Sequence, residues 1–291
     1  MKRLIGIASV AVTVAACSIA SPDVAPACAA AYDPPPAGSG FTGHYYHAGV
    51  GQAIPPDRRD GVGGRIRISD PVMRDRADQV TNELAVVKGA NESLVEVGYH
   101  KFWVDAPELL VGRWADGKYL GSEGFVSTHP TYKPDMSLRT YIGRAVPFFI
   151  NHRAGAWWVW FDNAWIGNFP DSLWRGSFTH GDQAHWYGEV YSAAGRNPPQ
   201  TQMGNGIRGD DTHAESIDGM CLYADERDCR PISKAQTYVT DHDLYPLTYD
   251  GCSSQRHGGP GLPLAPMPKP GNRRRPCHTP PRTSGDCPEV S

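Results

Sequence analysis

Residues Ala156–Phe161 read AWWVWF, the next two are Asp162 and Asn163, and Ala164–Phe169 read AWIGNF. Two apolar, aromatic-rich runs separated by two polar residues predict a β-hairpin. Asp-Asn suits the connection because these residues tolerate the positive φ of a tight primed turn. Strand-like runs continue on both sides. Leu94–Trp103, LVEVGYHKFW, is β-branched and aromatic with no helical period. Tyr141–Ile150, YIGRAVPFFI, is another run, in which Pro147 predicts an edge strand or a bulge. Ala184–Ser192, AHWYGEVYS, is a further strand candidate. No amphipathic helix longer than two or three turns stands out. DSLWRGSF from Asp171 predicts one helical turn, capped by Asp171. The class expected is all-β.

Composition agrees. Gly (32) and Pro (26) make up about a fifth of the 291 residues, which favours many turns and short strands. Hydrophobic content of 40% is enough for a packed core, and all-β domains past 200 residues are common. A net charge of -3 leaves no broad basic face, so nucleic acid is not an expected partner.

The chain divides into four parts. Residues 1–30 read as an export segment: Lys2 and Arg3 precede the uncharged, largely apolar run Leu4–Ala16, too short to span a bilayer comfortably. Val14-Ala15-Ala16-Cys17 also resembles a lipobox, in which Cys17 would carry a lipid anchor. Residues 31–40 are a Pro/Gly linker, 41–263 the folded domain, and 264–291 a Pro-rich tail with Cys277 and Cys287. Without Cys17, six cysteines remain, with no CxxC pair among them, which favours disulfides over zinc and an oxidising compartment. Cys221 and Cys229 are close enough to close a small loop. The expected location is therefore secreted or cell-envelope, without a membrane span.

Side chains of a strand alternate between faces. Glu96 shares a face with Leu94, Gly98, His100 and Phe102, and Glu189 shares one with His185, Tyr187 and Tyr191. A glutamate in so strand-like a segment is costly unless it is paired or exposed. Two carboxyls facing one groove could divide the work of hydrolysis. One, ionised, takes a proton from water; the other, protonated, polarises the carbonyl. Such chemistry requires no cofactor and no metal. His44, His47 and the Asp241-His242-Asp243 run are weak metal candidates, and GDDTHAESIDG from Gly209 reads as a solvated loop. A GxSxG elbow, an HExxH motif and a Gly-rich phosphate loop are absent. The competing class is a non-catalytic, carbohydrate-binding β-sandwich, since tryptophans stack on sugars.

Several motifs in order resemble the neprosin family. They are Glu96-Val97-Gly98-Tyr99, Trp157-Trp158 leading to Gly167-Asn168-Phe169-Pro170, Tyr187-Gly188-Glu189-Val190, and Gln202-Met203-Gly204-Asn205-Gly206. GGPG at Gly258–Gly261 is similar to the family's closing segment, and the resemblance spans Gly43 to Gly261. It implies a β-sandwich of two curved antiparallel sheets with a cleft on one face. It also implies a glutamic endopeptidase, acid-active and cutting after proline, with Glu96 and Glu189 as the catalytic pair. The expected partner is then a proline-containing peptide or protein, met by a monomer. Trp158, Tyr187 and Gln202 are the candidate substrate contacts. Tyr187 departs from the family pattern, standing where the first Gly of GGEV is usual.

Overall fold

The computed structural model describes residues 44–257, except 57–60, 90–92, 104–105, 193–200, 210, 212, 224–228, 233–234, 240–246 and 250–254. The stretch read as an export segment, the Pro/Gly stretch after it, the Pro-rich tail, and Cys28, Cys252, Cys277 and Cys287 lie outside the described residues.

The strands are β1 (His44–Ala53), β2 (Gly61–Arg67), β3 (Gln79–Lys88), β4 (Ser93–Lys101), β5 (Glu108–Ala115), β6 (Lys118–Gly121), β7 (Val126–Ser127) and β8 (Ala145–Arg153). They continue as β9 (Ala156–Phe161), β10 (Ala164–Pro170), β11 (Gln183–Ser192), β12 (Glu215–Tyr223), β13 (Cys229–Pro231), β14 (Gln236–Val239), β15 (Leu247–Tyr249) and β16 (Gln255–His257). One sheet has the order β14-β1-β11-β3-β4-β5-β6, and the other β15-β16-β12-β2-β8-β9-β10-β7, with β13 on β12. Pairing is antiparallel, and the two sheets form a β-sandwich, as expected. Among the described residues no helix is long and apolar enough to cross a membrane.

The sandwich interior takes alternate residues of each strand. Trp157, Val159 and Phe161 of β9 are buried in it, while Trp158 and Trp160 between them are only partly covered. Trp186 of β11, with Phe148, Phe169 and Phe178, fills the space between the sheets. Each such ring removes roughly 150–250 Å² from water, an upper estimate of about 4–6 kcal/mol before entropy is counted.

The hairpin at Asp162-Asn163 forms, with Asp162 at φ 56°. Pro147 departs from expectation, for β8 is an internal strand between β2 and β9. Pairing with β9 begins only at Phe148, and the Pro147 carbonyl accepts from the Asp162 amide. Nitrogen and carbonyl of one residue point to the same side, so the missing N–H faces a turn rather than the ladder. Asp171 does begin a single-turn helix, Asp171–Trp174, without capping it. Its carboxylate is held instead by His152 Nε2, at 2.9 and 3.1 Å. The segment from Gly209 is also more than a loop: Glu215 opens β12 and is fully buried. Cys221 and Cys229 form a disulfide.

Candidate active site

Alternation decides which side chains leave the interior. In β4, Val95, Val97 and Tyr99 join the core, which turns Glu96 and His100 to the outer face. In β11, Ala184 and Trp186 join the core, turning His185, Tyr187 and Glu189 outward. In β3, Leu84 and Val86 do so, turning Thr81, Glu83 and Ala85 outward. These three strands are neighbours, β3 in the middle. Glu189 pairs with Thr81, Tyr187 with Glu83, and Glu96 with Ala85. Three glutamates from three adjacent strands therefore gather on one face.

They lie in a cleft of about 520 Å³, including its space open to solvent. Tyr45 and Tyr187 form one wall, and Leu110, Trp114 and Tyr119 the other. Glu96 lies over Gly112 of β5, where an added Cβ would come within 2.6 Å of Glu96 Oε1. A side chain at that position would displace the carboxyl.

All three glutamates are largely covered: Glu83 is 3% exposed, Glu96 6% and Glu189 9%. No lysine or arginine is among the described residues that line the cleft. Burial, reinforced by the charge of Glu189, pushes the Glu96 carboxyl up to about 8, against a weak lowering by its bond from Trp114 Nε1 at 3.3 Å. Burial also holds Glu83 well above the usual carboxylate range, with Glu96 and Glu189 adding to the effect. Glu189 Oε2 lies 2.7 Å from His47 Nε2, and His47 is itself buried. His185, behind them, is pushed down to about 4 by burial and by its neighbour His47. The arrangement offers one carboxyl that keeps its proton through neutral pH beside another in contact with an imidazole. That is a set of groups fit for general acid–base chemistry.

Of the residues singled out in the sequence, the structure brings Glu96, Glu189 and Tyr187 together. Trp158 lies on the other sheet, against Trp165 and under the Arg153 guanidinium. Gln202 lies near the turn after β11, its Oε1 accepting from the Val72 amide at 3.1 Å. Sequence reading missed Glu83, and it treated His47 only as a remote metal candidate. The signal for Glu83 was its place in VTNELAVV, an apolar run whose alternation sets Thr81, Glu83 and Ala85 on one face.

The molecule is thus an open β-sandwich with carboxyls gathered on the outer face of one sheet. The Neprosin family model matches residues 84–260, well over half of the chain, and the chain belongs to the Neprosin family. Membership supports a peptidase of the glutamic type, and with it a peptide substrate. Among solved structures, the chain is similar to a Scytalido-glutamic peptidase bound to a peptide-based transition state analogue. That match has TM-score 0.46 and 8% identity, and covers 74% of this chain and 98% of that one. It is also similar to SCP-B, an Eqolisin-family peptidase complexed with the tripeptide Ala-Ile-His (TM-score 0.45, 8% identity, 74% and 98% covered). A weaker match is the carbohydrate-binding module CBM66 from Bacillus subtilis (TM-score 0.28, 10% identity, 49% and 73% covered). These are partial likenesses of chain path and carry no argument about chemistry.

Proposed function

We propose that the protein is an exported, acid-active glutamic endopeptidase that hydrolyses peptide bonds after proline, with Glu96 and Glu189 activating water. The observation that carries this reading is the register that turns both glutamates to one cleft, with β3 between their strands.

Roles follow from surroundings. Glu96, which keeps its proton through neutral pH, is the general acid. Glu189, against His47, is the general base. Glu189 takes a proton from water as the oxygen attacks the scissile carbonyl, and Glu96 gives its proton to the carbonyl oxygen. Glu189 then passes its proton to the departing amine, and Glu96 recovers one as the diol collapses to the acid. Both groups end as they began. The partly exposed rings of Tyr45, Trp114 and Tyr119 offer apolar faces on which a proline ring can pack, which supports the post-proline preference. The N-terminal segment and the Cys221–Cys229 disulfide support export.

The alternative, a carbohydrate-binding module, would draw on the outer aromatics Trp158, Trp160 and Trp165. The Trp165 ring stands at 85° to Trp158 and 82° to Trp160, so it shares a plane with neither.

The test is cleavage of a proline-containing quenched peptide across pH. Activity is expected in the acid range and should fall as pH rises through about 8, where Glu96 loses its proton. Glu96→Gln and Glu189→Gln should each lower kcat/KM by about a thousandfold or more while remaining folded. Activity that persists in both variants would sink the reading.

A further inference from the structure

Of the acidic groups that line the cleft, Glu83 is the one this mechanism leaves unused. It stands on β3, opposite Gly98 of β4 and Tyr187 of β11, and so diagonal to both Glu96 and Glu189. Gly98 makes room for it: a Cβ there would lie 2.8 Å from the Glu83 Cβ and closer still to the β3 backbone. Tyr187 hydrogen-bonds the Glu83 carboxyl. The other oxygen, Oε2, is buried with no hydrogen-bond partner among the described residues.

Among the described residues, the titratable groups around it offer no counter-charge. From β4 come Glu96 and His100, and burial pushes His100 down. From β11 come His185, also pushed down, Tyr187 and Glu189. Beyond these, His47 of β1 is taken up by Glu189, and Tyr119 of β6 has its hydroxyl pushed up by burial and by the three glutamates. An ionised carboxylate with a bare buried oxygen, set between two more carboxyls, is among the costliest groups an interior can hold. The neutral form avoids that cost.

We infer that Glu83 is a positioning residue of this site, a neutral third carboxyl, anchored by Tyr187, that separates Glu96 from Glu189. The inference rests on the reading of Glu96 and Glu189 as the catalytic pair. By filling the middle of the cleft floor, Glu83 keeps water from Glu96 and so keeps the proton on it. Removing the side chain would admit water, solvate Glu96, and let its proton leave at lower pH.

Two measurements test this on the full-length protein. The first is the pH dependence of kcat/KM for wild type, Glu83→Ala and Glu83→Gln, run beside Glu96→Gln and Glu189→Gln. Glu83→Ala should lose about a hundredfold and move the alkaline fall at least about one pH unit toward acid. Glu83→Gln, neutral and of the same shape, should rescue about tenfold or more of that loss and return the fall toward its wild-type position. A Glu83→Ala loss with an unmoved alkaline fall would mean packing alone and would overturn the inference. So would failure of Gln to rescue, since the charge of Glu83 would then be what matters. The second is infrared difference spectroscopy of wild type against Glu83→Gln near neutral pH, which stays readable if Glu83→Ala does not fold. Loss of a protonated-carboxyl band is expected; loss of a carboxylate band overturns the inference. If Glu96→Gln and Glu189→Gln remain active, the catalytic reading itself has failed. If those two are inactive and the Glu83 outcomes go wrong, the Glu83 inference fails alone.

Discussion

The two faces of β4 each look onto a buried polar cluster, one with three carboxyls and one built around a single carboxyl. On the outer face, Glu96 stands with Glu83 and Glu189 in an open cleft. On the inner face, Tyr99 reaches Glu215, which opens β12 of the opposite sheet and is 0% exposed. Burial pushes Glu96 and Glu215 up to the same level, about 8. Their surroundings differ. Both Glu215 oxygens are bonded, one by the Tyr99 hydroxyl at 2.7 Å and the other by the Ser69 hydroxyl. Tyr99 in turn accepts from Asn82 Nδ2 at 2.7 Å, and the Glu215 amide donates to Asn205 Oδ1 at 3.1 Å. Gly204, at φ +61°, approaches so closely that an added Cβ would lie 2.5 Å from Glu215 Oε2. The outer cluster leaves Glu83 Oε2 unbonded and opens to solvent. A raised pKa therefore does not by itself mark a working carboxyl. What separates the two is access: Glu96 and Glu189 line an open cleft, and Glu215 does not.

The sharpest contrast should come from removing one member of each cluster. Glu96→Gln removes about a thousandfold or more of kcat/KM and leaves the thermal midpoint no lower than wild type. Glu215→Ala should do the reverse. It removes the shared acceptor of the Tyr99 and Ser69 hydroxyls, which stay bonded to each other at 2.6 Å, and leaves a buried void, at about 3 kcal/mol, a fall of roughly 10 °C in thermal midpoint. Activity per folded molecule should stay within about twofold. Loss of activity in a fully folded Glu215→Ala protein would erase the distinction between the clusters.

The two clusters should then act alike on stability against pH. Each folded carboxyl keeps its proton above pH 4.5, the ordinary value at which the unfolded chain releases it. The unfolded state therefore binds fewer protons between pH 4.5 and about 8. Stability is complete below that window and is lost as pH rises through it, at up to about 1.4 kcal/mol per pH unit for each group. Thermal midpoints should be higher near pH 5 than near pH 8. Glu215→Gln should flatten that slope without removing it, and an unchanged slope would mean Glu215 is ionised when folded. The smallest effect is expected on the far sheet. Trp158→Ala should change kcat/KM by less than about twofold, because the ring lies against Trp165 and Arg153 rather than in the cleft.

Much of the architecture was legible because it is local. The hairpin at Asp162-Asn163 and the strands around Glu96 and Glu189 follow from runs of apolar and aromatic residues with turn residues between them. What was not legible depended on neighbours. Pro147 was read as an edge or bulge residue, yet it sits in an internal strand because its nitrogen meets the Asp162 turn. Trp158 and Trp157 are one residue apart, and composition does not say which of them faces the core. The partner of His47 is 142 residues away in sequence. Glu83 became significant only once β3 was seen to lie between β4 and β11.

Register has one more consequence. A slip of one residue in β4 would turn Glu96 toward the packed interior and Val95 or Val97 outward, and β3 and β11 are bound by the same parity. The carboxyl array is therefore assembled by the very step that closes the sandwich. A nascent or misthreaded chain carries no cutting power, so such an enzyme would threaten its neighbours only after passing its own folding inspection.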